Sequence, residues 1–102
     1  MKIILAYITN PSKAAAEKLA AQLLKKKLIA CANIFPISSI YRWKGKITTQ
    51  REFVLLGKTT TAKFAALSKE VEKLHPYEVP CILKISADAN ESYGKWVTKE
   101  TK

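Results

Sequence analysis

The 102-residue chain has few of the residues from which common catalytic and nucleotide-binding motifs are built. It contains one histidine, two cysteines and three glycines, and the glycines stand singly at positions 45, 57 and 94. A dinucleotide fingerprint and a phosphate loop both need closely spaced glycines, so neither is present. No HExxH, GxSxG or paired-cysteine motif occurs either. We therefore expect no enzymatic activity.

Long apolar runs are also missing. No segment approaches the roughly 20 apolar residues that a transmembrane helix needs, and the stretch ending at Thr9 has no signal-type cleavage pattern. Cys31 and Cys81 lie in separate apolar runs without CxxC spacing, which favours free thiols in a reducing compartment over a disulfide framework or a structural zinc site. These features predict a cytoplasmic protein with no membrane association.

Acidic residues are scarce, because 18 lysines and arginines stand against 8 aspartates and glutamates, for a formal net charge of +10. Most of the lysines are scattered among glutamates, which is typical of a solvated surface. The exception is the group Arg42, Lys44, Lys46 and Arg51, which surrounds a predicted hairpin turn as a basic finger. The third predicted strand lacks the aromatic pattern of RNA-recognition domains. We expect no specific nucleic-acid binding.

The hydrophobic periodicity predicts four strands and three helices. Right-handed crossovers turn this order into an α+β, ferredoxin-like β-α-β-β-α-β sandwich with an added C-terminal helix, as a single domain of residues 1–102. Gly45 marks the hairpin, and Gly57 indicates a bulge or a close backbone approach. The predicted strands are residues 2–9, 28–43 with an interruption at Pro36, 51–59 and 79–87, and the predicted helices run from a cap at Asn10 to Lys27, through Phe64 to Leu74, and over 90–102.

The only histidine begins the segment His75–Pro80, which we call the corner. Pro76 stops the preceding helix and Pro80 restricts the entry to the last strand, so the corner is stiff. A stiff loop that displays an imidazole, a phenol and a carboxylate is already ordered to hold a ligand or a metal. The alternative is that the prolines only punctuate the chain and the polar groups are solvated.

The candidate metal ligands are Cys31, His75 and Glu78. A thiolate suits Cu(I), a neutral imidazole suits both oxidation states of copper, and a carboxylate suits Cu(II). Cys31 and Cys81 fit small core hydrophobes equally well, since both lie in apolar runs. A nucleophilic Cys31–His75 pair is a further alternative, although an apolar strand tends to raise the pKa of a thiol.

The aromatic residues Tyr41 and Trp43 lie beyond Pro36, on strands too long for two helices to cover. Exposed aromatic strand edges are either protected or used for association, so we expect a closed oligomer. These aromatic side chains pack at an interface or stack on a ligand, and the sequence leaves both open. Lys58 either faces an anionic ligand in a cleft or extends to water.

Three segments in order resemble the CutA divalent-cation tolerance family, and the resemblance extends over essentially the whole chain. They are LIACAN at 28–33, YRWKGKI at 41–47 and HPYEVP at the corner. The resemblance implies a homotrimer similar in assembly to PII signalling proteins, with ligand clefts between subunits. The cleft residues expected on this basis are Asn33, Tyr41, Trp43, Lys58 and Tyr77.

The resemblance further implies a role in tolerance of copper or another divalent metal. Some bacterial relatives carry a cysteine and a second histidine where Ile8 and Leu74 stand here, so His75 is the only imidazole available. We predict a small cytoplasmic trimer that binds a metal ion or a small ligand at its subunit clefts. The alternative is a PII-like signalling or scaffold trimer whose metal binding is incidental. The sequence indicates no particular partner protein.

Overall fold

The computed structural model describes all residues from 1 to 102. Its strand order is β2-β3-β1-β4 with every pair antiparallel, which confirms the predicted α+β, ferredoxin-like topology with an additional C-terminal helix. None of the helices combines the length and apolarity that crossing a membrane requires. The elements are β1 (Lys2–Asn10), α1 (Lys13–Lys25), β2 (Cys31–Trp43), β3 (Lys46–Thr59), α2 (Thr61–Leu74), β4 (Ile82–Asp88) and α3 (Glu91–Glu100).

The two faces of the sheet are covered differently. Helices α1 and α2 pack on the face that carries Ala6, Ile8 and Leu55, where a buried apolar cluster forms the core. Because side chains alternate along a strand, the neighbouring residues of β1 and β4 point to the opposite face. On that face Leu83 and Ile85 are 49% and 40% exposed. The second face therefore keeps apolar surface that this chain does not cover.

Helix α1 begins two residues later than the sequence predicts. Ser12 is the N-cap, and its hydroxyl accepts a hydrogen bond from the backbone N–H of Ala15 at 3.0 Å. Asn10 instead ends β1, where it is 1% exposed and its amide donates to the carbonyls of Ile8 and Phe53. The predicted Asn10 cap is wrong because both residues are good caps and only the contact with β3 decides between them.

The end of α1 is a Schellman motif. The N–H of Leu28 donates to the carbonyl of Leu23 at 2.9 Å, and the N–H of Lys27 donates to that of Leu24 at 3.0 Å. Lys27 has a φ of 57°, a left-handed conformation that non-glycine residues adopt rarely. The turn returns Leu28 to the core and directs the chain toward β2.

The hairpin of β2 and β3 is longer than predicted. Pairing runs without a break from Cys31 opposite Lys58 to Trp43 opposite Lys46, so Pro36 does not interrupt the strand. Strand β2 is an edge strand, where the missing N–H of a proline is tolerated. Lys44 and Gly45, with φ values of 49° and 79°, form the two-residue turn.

Two glycines permit close packing. A Cβ on Gly57 would lie 2.9 Å from the side chain of Ile29, while the register through Gly57 is regular on both sides. The predicted close approach is confirmed, and there is no bulge. A Cβ on Gly94 would lie 2.6 Å from Met1, so the glycine allows α3 to pack closely against this residue.

Candidate functional site

A cleft of about 740 Å³ opens between the β2–β3 hairpin and the corner. We call it the hairpin cleft. Its volume lies within the range of small-molecule sites. The lining comes from residues 39–43 of β2, Gln50 and Glu52 of β3, residues 77–79 and Cys81 near the corner, and Thr9 of β1.

The register of the hairpin explains the composition of the cleft. Ser39 pairs with Gln50, and Tyr41 and Trp43 follow at intervals of two, so their side chains share one face of β2. Tyr41 is 37% exposed and Trp43 is 38% exposed. The cleft therefore has an aromatic wall on the hairpin and polar groups on its floor.

A chain of hydrogen bonds crosses the floor and ends on Glu52. The hydroxyl of Tyr41 donates to Gln50 Oε1, and Gln50 Nε2 donates to the hydroxyl of Tyr77 at 3.2 Å. The hydroxyl of Tyr77 donates to Glu52 Oε2 at 2.6 Å. A hydrogen bond to a carboxylate is shorter and stronger than a neutral one, and neighbours in a chain polarise each other. The three hydrogen bonds thus follow one another in a single direction and end at one anion.

Tyr77 is held in its protonated form. Burial, together with the hydrogen bond to the Glu52 carboxylate and its negative charge, raises the pKa of the Tyr77 phenol well above its usual range. The phenol therefore remains a hydrogen-bond donor to Glu52 throughout the neutral pH range.

Glu52 has no cationic partner in the chain. The residue is 5% exposed, and the salt bridges of the chain are Lys26–Glu70 and Lys95–Glu91. Its burial was not predicted from the sequence. The available signal was its position in a strand whose next residues, from Phe53 onward, are apolar, because a lone carboxylate in such a run is either at a surface or in a site.

His75 is the C-cap of α2 and is 9% exposed. Its Nε2 lies 2.7 Å from the carbonyl oxygen of Thr9, and its Nδ1 lies 3.1 Å from the backbone N of Tyr77. A carbonyl only accepts, so the partners assign the proton to Nε2, and Nδ1 accepts from the N–H of Tyr77. Both ring nitrogens are engaged with main chain, which fastens the corner to β1 and leaves no lone pair for a metal.

Cys31, Asn33 and Lys58 form a second polar group, which we call the Cys31 cluster. Lys58 Nζ hydrogen-bonds to Asn33 Oδ1 and lies 3.8 Å from Cys31 Sγ. Tyr93 of α3 adjoins the cluster, and burial followed by its hydrogen bond with Cys31 raises the pKa of the Tyr93 phenol. The cluster lies on the half of the hairpin away from the turn.

Apart from His75, which contacts the main chain of Thr9 and Tyr77, the residues predicted from the sequence divide between two places. The chain has no group of three or more His, Cys, Asp and Glu residues positioned to hold a metal ion, so Cys31, His75 and Glu78 do not form a metal site within this chain. Glu78 lines the hairpin cleft, as do Tyr41, Trp43 and Tyr77. The other two predicted cleft residues, Asn33 and Lys58, belong to the Cys31 cluster.

Cys81 also lines the hairpin cleft. Burial and then the negative charge of Glu52 raise the pKa of the Cys81 thiol, while a hydrogen bond with Thr9 acts in the opposite direction. A thiol of raised pKa is a poor nucleophile and a poor soft ligand at neutral pH.

Comparison with known proteins assigns the chain to a family. Residues 4–100 match the family model described as CutA1 divalent ion tolerance protein. The chain belongs to the CutA1 family. The divalent-cation tolerance protein CutA of Archaeoglobus fulgidus is 51% identical over 92 residues, which cover 89% of this chain and 90% of that protein. The resemblance drawn from the three motifs is confirmed.

Solved CutA structures have the same fold. The periplasmic divalent cation tolerance protein CutA of A. fulgidus superposes with a TM-score of 0.94 at 41% identity, covering 100% of both chains. The PII-like protein CutA of Nostoc sp. PCC 7120 superposes with a TM-score of 0.90 at 33% identity, covering 100% of this chain and 98% of that chain. The expected fold is therefore confirmed, and it is shared with a relative described as PII-like.

The predicted cytoplasmic location is contradicted, because the A. fulgidus relative is described as periplasmic. The prediction rested partly on unpaired cysteines. Cys31 begins β2 and Cys81 precedes β4, and these strands are the two edges of the sheet. Three strand spacings of about 4.8 Å separate them by at least about 14 Å, twice the reach of a disulfide. The thiols are unpaired because of the fold, and this gives no information about the compartment.

Proposed function

We propose that the chain is the subunit of a homotrimer that contributes to divalent-cation tolerance by binding a small ligand in the hairpin cleft, without catalysis. In this proposal residues 1–102 act as one domain. The observation that carries it is the hydrogen-bond chain that converges on Glu52 inside a cleft of suitable volume. Such convergence of polar groups in a half-apolar cleft is typical of a binding site.

Exposed apolar side chains next to the cleft support association. Ile40, Ile47 and Val79 are 72%, 66% and 68% exposed, and two of them line the cleft itself. Monomeric proteins rarely leave such groups clustered on the surface. Strand β2 is also a 13-residue edge strand, which favours pairing or coverage by another subunit. We therefore propose that a neighbouring subunit borders each cleft.

The chemistry of the candidate nucleophiles supports binding over catalysis. His75 has no free nitrogen to act as a base, and Cys31 contacts Lys58 instead of an imidazole. The third candidate, Cys81, has a raised pKa. The family is described by ion tolerance and not by a reaction.

A second candidate function is a PII-like signalling or scaffold trimer, which is favoured by the likeness to the PII-like relative from Nostoc. Direct binding of copper is the finer form of the tolerance proposal. Because one subunit does not provide three ligands, a copper ion bound to this protein would have to use donors from more than one subunit.

Light scattering with metal titration tests the proposal. We expect a mass of three 11.4 kDa chains, and Trp43→Asp should shift it toward the monomer. Ala65→Asp is the matched control, because it adds the same charge on the exposed side of α2. A wild-type monomer at micromolar concentration would overturn the assembly. Stoichiometric copper binding by the Trp43→Asp monomer would contradict a site shared between subunits.

A further inference from the structure

The chemistry of the hairpin cleft also indicates the class of its ligand, an inference that rests on the function proposed above. We infer that the cleft binds a small organic ammonium ion, with Glu52 as its counter-ion and with Tyr41, Trp43 and Tyr77 as aromatic walls.

The cleft reverses the charge balance of the chain. The protein has 18 basic and 8 acidic residues, yet the cleft is lined by two of the acidic residues, Glu52 and Glu78, and by one basic residue, Arg42. A site for an anion would be expected to use the abundant lysines and arginines. The local excess of negative charge in a +10 chain favours a cationic ligand.

Glu52 lacks the opposite charge or metal ion that usually accompanies a buried carboxylate. Buried charges are normally paired with an opposite charge or coordinate a metal. The hydrogen-bond partner of Glu52 is the neutral hydroxyl of Tyr77, which meets Oε2. The only buried side-chain oxygen without a partner is that of Thr59, so the second oxygen of Glu52 is accessible from the cleft. An ammonium group would supply both the positive charge and an N–H donor to that oxygen.

The aromatic wall suits an organic cation better than a bare metal ion. Half of the twelve lining residues are hydrophobic, which matches an alkyl or aryl body. Aromatic rings attract ammonium groups, and the Trp43 ring already does so with Lys44, whose Nζ lies 5.6 Å from the ring centroid. Calcium and magnesium prefer about six oxygen ligands, whereas the cleft offers two carboxylates, one of them already bonded to Tyr77.

Arg42 is the one basic residue that lines the cleft, and Lys44 lies beside the cleft at the Trp43 ring. The alternation of side chains along β2 directs Arg42 to the opposite side of the strand from Tyr41 and Trp43, and it is exposed. Arg42 therefore lies at the rim, where solvent screens its charge. Its removal should strengthen the binding of a cation, while the removal of Glu52 should weaken it.

Three probes that share one aryl body but differ in charge test the inference. They are phenethylammonium chloride, 2-phenylethanol and sodium phenylacetate, titrated by calorimetry and by ¹⁵N NMR into the intact protein. We expect the ammonium probe to bind about tenfold more tightly than the alcohol and tighter still than the carboxylate. Glu52→Gln should abolish this preference. Glu78→Gln, which removes one exposed negative charge from the same cleft, should change the affinity by no more than about threefold.

Each outcome has a defined meaning. If phenylacetate binds as tightly as the ammonium, or if folded Glu52→Gln keeps the preference, the inference is overturned. If 2-phenylethanol binds as tightly as the ammonium probe, the proposed ligand cleft is retained, but its preference for a cation is rejected. If none of the probes shifts cleft resonances, both the inference and the proposed small-ligand site fail.

A second pair of variants applies if Glu52→Gln does not fold. Arg42→Gln should tighten binding of the ammonium probe by about threefold, because it removes an opposing charge at the rim. Tyr77→Phe keeps the carboxylate and should keep the preference for the ammonium. A weaker affinity in Arg42→Gln, or displacement of the probe by one equivalent of Zn²⁺, would overturn the inference.

Discussion

The hairpin carries one positive charge in the Cys31 cluster and one negative charge in the hairpin cleft, and the two differ in burial and in hydrogen-bond partners. In the Cys31 cluster the partly exposed ammonium of Lys58 is bound by the neutral side-chain groups of Asn33 and Cys31. In the hairpin cleft the buried carboxylate of Glu52 is bound by a chain of neutral donors. The two charges are six residues apart on β3, roughly 20 Å along the strand. A charge that water reaches costs little to leave unpaired, whereas a buried one requires its donors.

The largest expected effect comes from the corner that supports the cleft. His75→Ala leaves the carbonyl of Thr9 and the N–H of Tyr77 without partners, so it should lower the free energy of unfolding by about 2–4 kcal/mol. Urea denaturation at fixed protein concentration measures this loss as a lower midpoint at an unchanged slope. A loss below about 0.5 kcal/mol would contradict the anchoring role of the imidazole.

The next effect compares the two ends of the hydrogen-bond chain. Tyr77→Phe removes the donor to buried Glu52 and should cost about 1–3 kcal/mol, because the carboxylate loses its partner. Tyr41→Phe removes the same hydroxyl from an exposed residue and should cost about 0.5 kcal/mol, since water reaches Gln50 in its place. Thermal unfolding of the two variants measures the difference. Equal losses of stability in the two variants would show that the hydrogen bond to Glu52 contributes no more than the hydrogen bond to Gln50.

Alkaline pH should act on the same end of the hydrogen-bond chain, where Tyr77 meets Glu52. The pKa of Tyr77 is raised in the folded state, so above about pH 10 the unfolded state loses a proton that the folded state keeps. Stability is therefore fully present below that pH and falls as the pH rises further. Between pH 8 and pH 11, the melting temperature of Tyr77→Phe should fall less steeply than that of the wild type.

Cys81 is the control for this pH dependence, because its pKa is also raised and its contribution should be lost at lower pH, above about 9. In a plot of melting temperature against pH, Cys81→Ala should therefore reduce the slope at a lower pH than Tyr77→Phe does. Identical curves for both variants and the wild type would contradict the raised pKa values.

The smallest effect is expected in the Cys31 cluster. Lys58→Met removes a partly exposed ammonium whose partners are neutral and accessible, so the free energy of unfolding should change by less than about 0.5 kcal/mol. Equilibrium denaturation against the wild type measures it. A loss as large as that of Tyr77→Phe would remove the contrast between the exposed and the buried charge.

The sequence predicts the fold well where the information is local. Apolar runs and their alternation predict all four strands and their order along the chain, and the predicted Gly45 lies in the turn that the structure has. The continuity of β2 through Pro36 was not predictable, because it depends on β2 being an edge of the sheet. The choice of Ser12 over Asn10 as helix cap likewise depends on a bond from Asn10 to the distant residue Phe53.

The site is less predictable, because its properties depend on contacts between distant segments. The aromatic residues Tyr41, Trp43 and Tyr77 were expected to line a cleft between subunits, and in this chain they line the hairpin cleft. The role of His75 depends on a carbonyl 66 residues earlier, which no local pattern indicates. Glu52 becomes the terminus of the hydrogen-bond chain only because the corner brings the hydroxyl of Tyr77 to it.

NMR of the two tryptophans during a titration with phenethylammonium chloride reports directly whether a cation binds in the hairpin cleft through Glu52. Trp43 lines the hairpin cleft, whereas Trp96 lies on α3 and is absent from its lining, so the second indole is an internal control. We expect the indole N–H resonance of Trp43 to shift with saturation in the wild type and not in Glu52→Gln, while that of Trp96 stays in place. A shift of Trp43 that is the same in both proteins, or equal shifts of both tryptophans, would contradict binding of the cation through Glu52.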